Sequence, residues 1–451
     1  MSESQAKLAD SHEQRIFRAP IVPHVWWLIG VAILAATWWL ATRGGEARRF
    51  WLAYVHNFAF VLSLSWGALY FVLLHHVTRS GWSVVVRRLA ELMAGNALLL
   101  AVLFVPIAIN VANGSGTLYP WARPLSALNE LTQVNANEQI NVGEQTNTNK
   151  HIDGFHADAK LLNVEKLIAK RAYLNPTFFI MRWIIYFAVW IGLGSYYLRT
   201  SLKQDHMDDD IEANIAATLR MQQLSGPALV AYAVTLTAAS FDLLMSLDPQ
   251  WFSTIFGVYV FSGAAIGIYA VMIVYWVSLQ RGGYLTVSVN AEHYHDLGKW
   301  LFAFVFFWGY IAFSQYLLIW YGNIPEETEW FGRRGCSTSE PNVWSYVIIL
   351  ILVAHFLVPF AALLSRGVKR RRSSLLFWAV WMLVMHWVDL YWLVMPEWSV
   401  DQLPLGVTEI GCCVGILVIY LGGLSWLANG RNLVTMGDPR LPESLAFEQT
   451  S

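Results

Sequence analysis

Long apolar runs, each about the length that crosses a hydrocarbon layer, alternate along this chain with polar connections. A helix needs about 20 mostly apolar residues to span lipid, which offers no partner to an unsatisfied backbone group. Runs of this kind cover residues 22–41, 50–77, 89–112, 176–198, 221–247, 254–280, 300–321, 342–365, 373–396 and 405–428. They predict ten transmembrane helices, numbered 1 to 10 in chain order, and an all-α integral membrane fold. Tryptophans flank the first run (Trp26, Trp27, Trp38, Trp39) and no small-residue cleavage site follows it. It therefore reads as a retained anchor and not as a signal peptide. The resulting organisation is a tail over 1–21, helices 1 to 3 over 22–112, a polar loop over 113–175, helices 4 to 10 over 176–428 and a second tail over 429–451.

The connections carry charge unevenly. With both termini cytoplasmic, the inside segments hold eighteen Lys and Arg and the short outside loops only five. The positive-inside rule then keeps both tails in the cytoplasm, together with the run Lys369, Arg370, Arg371 and Arg372, and places the 113–175 loop outside. That loop is rich in Asn, Gln and Thr and too long for a simple turn. Within it, residues 157–172 set Leu161, Leu162, Val164, Leu167 and Ile168 among lysines. The pattern fits an amphipathic helix lying on the surface or against a partner, and equally a loop packed on its own subunit.

Composition agrees with the pattern: 56% of residues are apolar and 14% charged, against about 25% charged in soluble domains. Lys plus Arg (30) and Asp plus Glu (31) nearly cancel, which leaves no basic surface for nucleic acid. Cys336, Cys412 and Cys413 form no C-x-x-C and no C-x-x-C-H. The chain therefore lacks cysteine ligands for an iron-sulfur cluster, a c-type haem or zinc, and no cofactor is expected in it.

Apart from histidines, five ionisable residues fall inside the runs: Glu91, Arg182, Asp242, Asp389 and Glu409. At a helix centre such a group costs about 2.5 to 3.5 kcal/mol on insertion scales, so each should face the bundle interior. Glu91 lies near the cytoplasmic end, one turn from Arg87 and Arg88, where an ion pair accounts for it. Glu409 begins helix 10, where an acid complements the helix dipole. Arg182, Asp242 and Asp389 occupy the outer half, with Arg182 available to Asp242 or to Asp389. His386 and Asp389, three apart, share a helix face, an arrangement that suits proton transfer and suits simple mutual satisfaction as well. His355 and His386 each lie about midway along their helices. Bis-histidine haem ligation is disfavoured by bulky neighbours, Leu352, Phe356 and Trp387. His75, His76, Glu91, Asp296 and Lys299 make a polar entrance near the cytoplasm, although Lys299 has the simpler fate of snorkelling or pairing with Asp296. His293 and His295 lack a third ligand and read as a solvated loop, so no metal is assigned. The candidates for a proton path are thus His75, His76, Glu91 and Lys299 near the cytoplasm, His355 and His386 near the midplane, and Asp242, Asp389 and Arg182 in the outer half.

The run DLGKWLFAFVFFWGYIAFSQYLLIWYGNIPEET over residues 296–328 resembles a membrane subunit of alternative complex III, a bacterial quinol-oxidising respiratory complex. Tyr119-Pro120-Trp121-Ala122, Arg171-Ala172-Tyr173-Leu174-Asn175, Ser240-Phe241-Asp242 and the stretch from Ser246 to Gly257 add to the likeness, which covers most of residues 119–328. Helices 8 to 10 agree in pattern more than in letters. The chain is most similar to the F-type subunits, one of two related ten-helix types built like the polysulfide reductase membrane subunit. The resemblance implies two four-helix bundles, helices 2 to 5 and 6 to 9, flanked by peripheral helices 1 and 10. It implies quinol oxidation in a sister membrane subunit, electron transfer through partner subunits carrying iron-sulfur clusters and multihaem cytochrome c, and a place in the bacterial inner membrane among lipids, with a terminal oxidase as a further partner. This chain would support assembly and proton translocation without a redox cofactor of its own. The competing expectations are a stand-alone secondary transporter, which ten helices with buried acids also suit, and a purely structural scaffold in the same complex.

Overall fold

Inside lipid every backbone amide must find its partner within its own segment, and the apolar runs do so as helices. The computed structural model describes residues 15–127, 166–206, 210–337 and 341–447. Among these, ten helices are long and apolar enough to cross a membrane: α1 (Pro23–Arg43), α2 (Ala47–Val77), α3 (Val84–Ala112), α4 (Pro176–Gln204), α5 (Ile211–Leu247), α6 (Phe256–Arg281), α7 (Ala291–Gly322), α8 (Val343–Leu364), α9 (Arg372–Glu397) and α10 (Val407–Ala428). The described residues hold no strand beyond an isolated bridge between Ile16 and Asn432. The chain is an all-α, multi-pass membrane protein.

Several helices outrun their apolar cores. α5 starts ten residues before the apolar run that predicts it, α7 nine and α3 five. In α5 and α7 these extra turns are polar, so hydropathy passes over them, but they carry the capping chemistry; in α3 they bring in Arg87 and Arg88. Asp210 accepts from the Ala213 amide at the start of α5. At α7, Asn290 accepts from the Glu292 and His293 amides while His293 receives the Asn290 amide. His293, expected in a solvated loop, is therefore a buried capping residue in the first turn of a helix.

Two spans depart from regular geometry. α3 is interrupted at Asn96. In α8 a π-helical turn over Ile351–Leu357 separates two α-helical pieces. Pro359 explains the second case: it has no amide to donate to the carbonyl of His355 four residues earlier, and the helix accommodates this by widening.

Packing divides the spans by environment. α2 is the most enclosed, with 83% of its apolar window buried, whereas α1 has 17%. α2 packs on α3 and α5, and α4 closes that ring by packing on both. Likewise α6 packs on α7 and α9, and α8 lies against both of these. α2 and α6 meet along the centre, where α2 also touches α9. α1 pairs with α10, and a Cβ at Gly30 would lie 2.7 Å from the Gly415 carbonyl. Lipid gives apolar helices little reason to associate, so close backbone approach of this kind supplies the contact.

The described parts of both tails, from Arg15 and up to Phe447, lie on one face, here the terminal face, where the Phe17 amide donates to Arg431 O and the Gly430 amide to Phe17 O. The segment after α10 folds back across the ends of α2 and α3: Thr435 donates to Val84 O, and Ser444 donates to Trp82 O while accepting from the Val85 amide. On the far face, Tyr119 and Trp121 are buried and donate to the carbonyls of Leu243 and Ser246 at the end of α5. The amphipathic stretch expected over 157–172 lies largely outside the described residues; its described end is α-helical over 166–169 and closes in a 3-10 turn, Lys170–Ala172.

Candidate functional site

Near the far face, α4 and α5 are joined by a buried ion pair. Arg182 Nε and Nη2 donate to the two oxygens of Asp242 at 2.8 and 2.9 Å, and the Tyr186 hydroxyl donates to the same carboxylate at 3.0 Å. Arg182 Nη1 donates to Tyr173 O, and the guanidinium plane lies 3.9 Å from the Tyr173 ring centroid. Arg182 thus chooses Asp242 over Asp389. Two-point contact fixes the geometry and leaves the pair without net charge.

The ring of α6 to α9 is built differently. Asp389 on α9 is fully buried and receives the Tyr259 hydroxyl from α6 and, at 3.2 Å, the Trp308 indole N–H from α7. Both donors are neutral. The Trp308 ring stacks on His355 of α8 with centroids 4.1 Å apart. His355 sits in the π-helical turn, is fully buried, and neither of its ring nitrogens has a hydrogen-bond partner.

His386, one turn before Asp389, turns to α2 and not to its helix neighbour: its Nε2 meets the Ser63 hydroxyl at 2.8 Å, and its Nδ1 is unpartnered. The imidazole fits beside α6 because that helix presents glycines there. A Cβ on Gly263 would lie 2.7 Å from His386 Cε1, and one on Gly267 would lie 3.6 Å from its Cδ2. A third imidazole, His56 on α2, pairs through Nε2 with Trp387 O at 3.0 Å, again leaving Nδ1 unpartnered. These orphaned nitrogens are enclosed polar atoms of the kind that buried water satisfies.

The terminal face holds a buried charge network. Arg87 donates to Glu91 at 3.0 Å and to Asp438 at 2.5 Å, while Arg88 donates to Asp205 at 2.6 Å and lies 3.7 Å from Glu91. Asp205 also accepts from the Met436 amide, which ties the returning segment to α4. Burial and the neighbouring Glu91 push the Asp205 carboxyl up to about 6, against the opposing attraction of Arg88. His75 and His76 are buried beside Arg87. Both nitrogens of His75 and Nε2 of His76 lack partners. Lys299 stands apart, 44% exposed and paired with Asp296 at 2.5 Å.

The structure therefore gathers the candidates into three groups: Arg182 with Asp242; Asp389, His355 and His386; and Glu91 with His75 and His76. Residues that complete these groups and escaped sequence reasoning are Tyr186, Tyr259, Trp308, Ser63, His56, Asp205 and Asp438. Most are neutral or lie outside the spans, so a search for charges in apolar runs passes over them. His56 carried the one usable signal, an imidazole inside a helix otherwise suited to lipid. Glu409 accepts from the Gly406 amide at the start of α10, and it also accepts from Nε and Nη2 of Arg49 on α2. Among the described residues no cluster of three or more His, Cys, Asp and Glu is placed to hold a metal ion.

The fold and its enclosed polar groups define a polytopic helical membrane protein with titratable side chains in its interior. No protein-family model matches the chain, and no curated protein matches it.

Proposed function

We propose that this chain is a membrane subunit of a quinol-oxidising respiratory complex of the alternative complex III type, and that it assists assembly and proton movement while partner subunits carry the electrons. Its place in this reading is the bacterial inner membrane with both termini cytoplasmic, beside a sister membrane subunit where quinol reacts and subunits bearing iron-sulfur clusters and haem c. Support comes from the sequence likeness over residues 119–328 and from the charge bias of the short loops.

The observation that carries the proton role is the Asp389 carboxyl, held by Tyr259 and Trp308 with no ion-pair partner among the described residues. A carboxyl with neutral partners can take or release a proton without stranding a buried guanidinium. Asp389 lies one turn from His386, whose free Nδ1 and Ser63-bound Nε2 offer a further site for proton exchange. Water entering between these groups would complete the relay. The Arg182–Asp242 pair, closed on itself, belongs to the structural part of the role.

Two measurements test the reading. Purification of the tagged chain in mild detergent should bring down c-type haem, and a solitary protein overturns membership of the complex. In vesicles containing the complex, Asp389→Asn should leave quinol oxidation largely intact while lowering proton release severalfold. Unchanged proton release makes Asp389 structural. Sidedness is read separately: cysteines replacing Ser115 and Arg371 should be labelled from outside and from inside, respectively.

A further inference from the structure

On the terminal face a cleft of about 430 Å³ opens between the end of α6 and the start of α9, lined by Val277, Gln280, Arg281, Arg371, Arg372 and Ser373. Three guanidiniums border it and no carboxylate does. Glu292, in the first turn of α7, is already paired with Arg370, and Gln280 is committed to Tyr294 and to the carbonyls of Leu285 and Val289. Arg281, Arg371 and Arg372 have no ion-pair partner among the described residues, although Arg372 lies 5.3 Å from the Tyr294 ring centroid. Like charges gathered around one opening repel unless an anion joins them. The first turn of α9 adds to the same field, since its N-cap residue, Arg371, makes no side-chain cap and the free amides lie beside Ser373.

The surface leading away from the cleft is apolar. Ser373, Phe377, Val380 and Val384 follow at intervals of four, three and four residues and so share one face of α9. Phe377, Val380 and Val384 are exposed in this chain, and they run from the cleft into the depth of the membrane-spanning segment. We propose that this cleft binds the phosphodiester headgroup of an anionic phospholipid, with the three arginines holding the phosphate and the α9 stripe receiving an acyl chain. Arginine suits the task because its planar fork matches two phosphate oxygens at once. A free phosphate ion would use the same cleft chemistry without using the stripe. The inference needs only the membrane-spanning fold and is independent of the respiratory reading.

The test uses the full-length chain purified in detergent and examined by native mass spectrometry with phosphatidylglycerol, phosphatidylcholine or inorganic phosphate as the probe. Phosphatidylglycerol should be retained preferentially over phosphatidylcholine. The triple variant Arg281→Gln, Arg371→Gln, Arg372→Gln should lose at least tenfold in that binding, since a basic residue near an anionic surface contributes roughly fivefold. Arg366→Gln, on the same face outside the cleft, should leave binding unchanged. Displacement of the lipid by millimolar phosphate, with phosphate itself retained, overturns the lipid assignment in favour of a free anion. Equal binding by wild type and triple variant, or equal retention of the two lipids, overturns the site altogether. If the triple variant is not monodisperse, Arg281→Gln and Arg371→Gln are measured singly, and the absence of loss in both has the same meaning.

Discussion

Asp242 and Asp389 are both buried carboxylates, each near the far end of its helix, α5 and α9 respectively, yet their partners differ in kind. Asp242 is held by the Arg182 guanidinium and a tyrosine. Asp389 is held by a tyrosine and an indole. The first arrangement fixes two opposite charges, and losing either one strands the other in the interior. The second contains one titratable group among neutral donors, so its protonation changes nothing that a cation depends on. The same residue type thus serves as a rivet in one ring and as an exchangeable group in the other.

Substitutions should separate the two most strongly at the rivet. Arg182→Leu leaves the Asp242 carboxylate buried without its counter-charge and should destabilise the protein by about 3 to 5 kcal/mol, measured by thermal unfolding in detergent. Arg182→Leu combined with Asp242→Leu should recover most of that loss. A double variant as unstable as the single one means the pair is not the unit. Asp242→Asn should also be costly, because the amide cannot balance Arg182.

The clasp on the terminal face comes next. Asp438→Asn removes a charged acceptor from Arg87 and should cost about 1.5 to 3 kcal/mol. Asp205 adds a pH dependence. Because its carboxyl is raised to about 6 in the folded chain from an ordinary 3.8, the folded state holds this proton more tightly than the unfolded state. The contribution to stability is therefore greatest below about pH 4, declines as pH climbs to about 6, and is then constant. Taking the protein from pH 7 to pH 5 should raise stability by about 1 kcal/mol through this group, and Asp205→Asn should abolish that component. An identical pH response in the variant would assign the effect to another group.

The smallest change in stability is expected where a protonation change is best tolerated. Asp389→Asn keeps the shape and loses at most one hydrogen bond, worth about 1 kcal/mol, so its unfolding temperature should stay close to wild type. A loss as large as that of Asp242→Asn would erase the distinction between the two sites.

Much of this was legible beforehand and the rest was hidden for identifiable reasons. The closeness of Glu91 to Arg87 and Arg88 follows from helical spacing, and the place of Glu409 in the first turn of α10 follows from the apolar run, although its bond to the Gly406 amide does not. Asp438 lies 351 positions from Arg87 and Asp205 lies 117 from Arg88, and no local pattern can announce such partners. His386 shows the limit of spacing most clearly. It shares a helix face with Asp389 but turns to Ser63 on α2, because the glycines of α6 leave room there.

What the sequence determined by itself is the number of spans and their helical form. Hydrocarbon leaves a long apolar segment little choice beyond satisfying its own backbone, and that demand is local. Which helices meet, which acid receives a cation and which imidazoles keep free nitrogens were decided only by the tertiary structure. Those outcomes depend on close approach between distant helices, on glycines such as Gly263 and Gly267, and on a π-helical turn that positions His355. Lipid makes all apolar faces nearly equivalent, so the pattern that predicts a span carries little information about its neighbour.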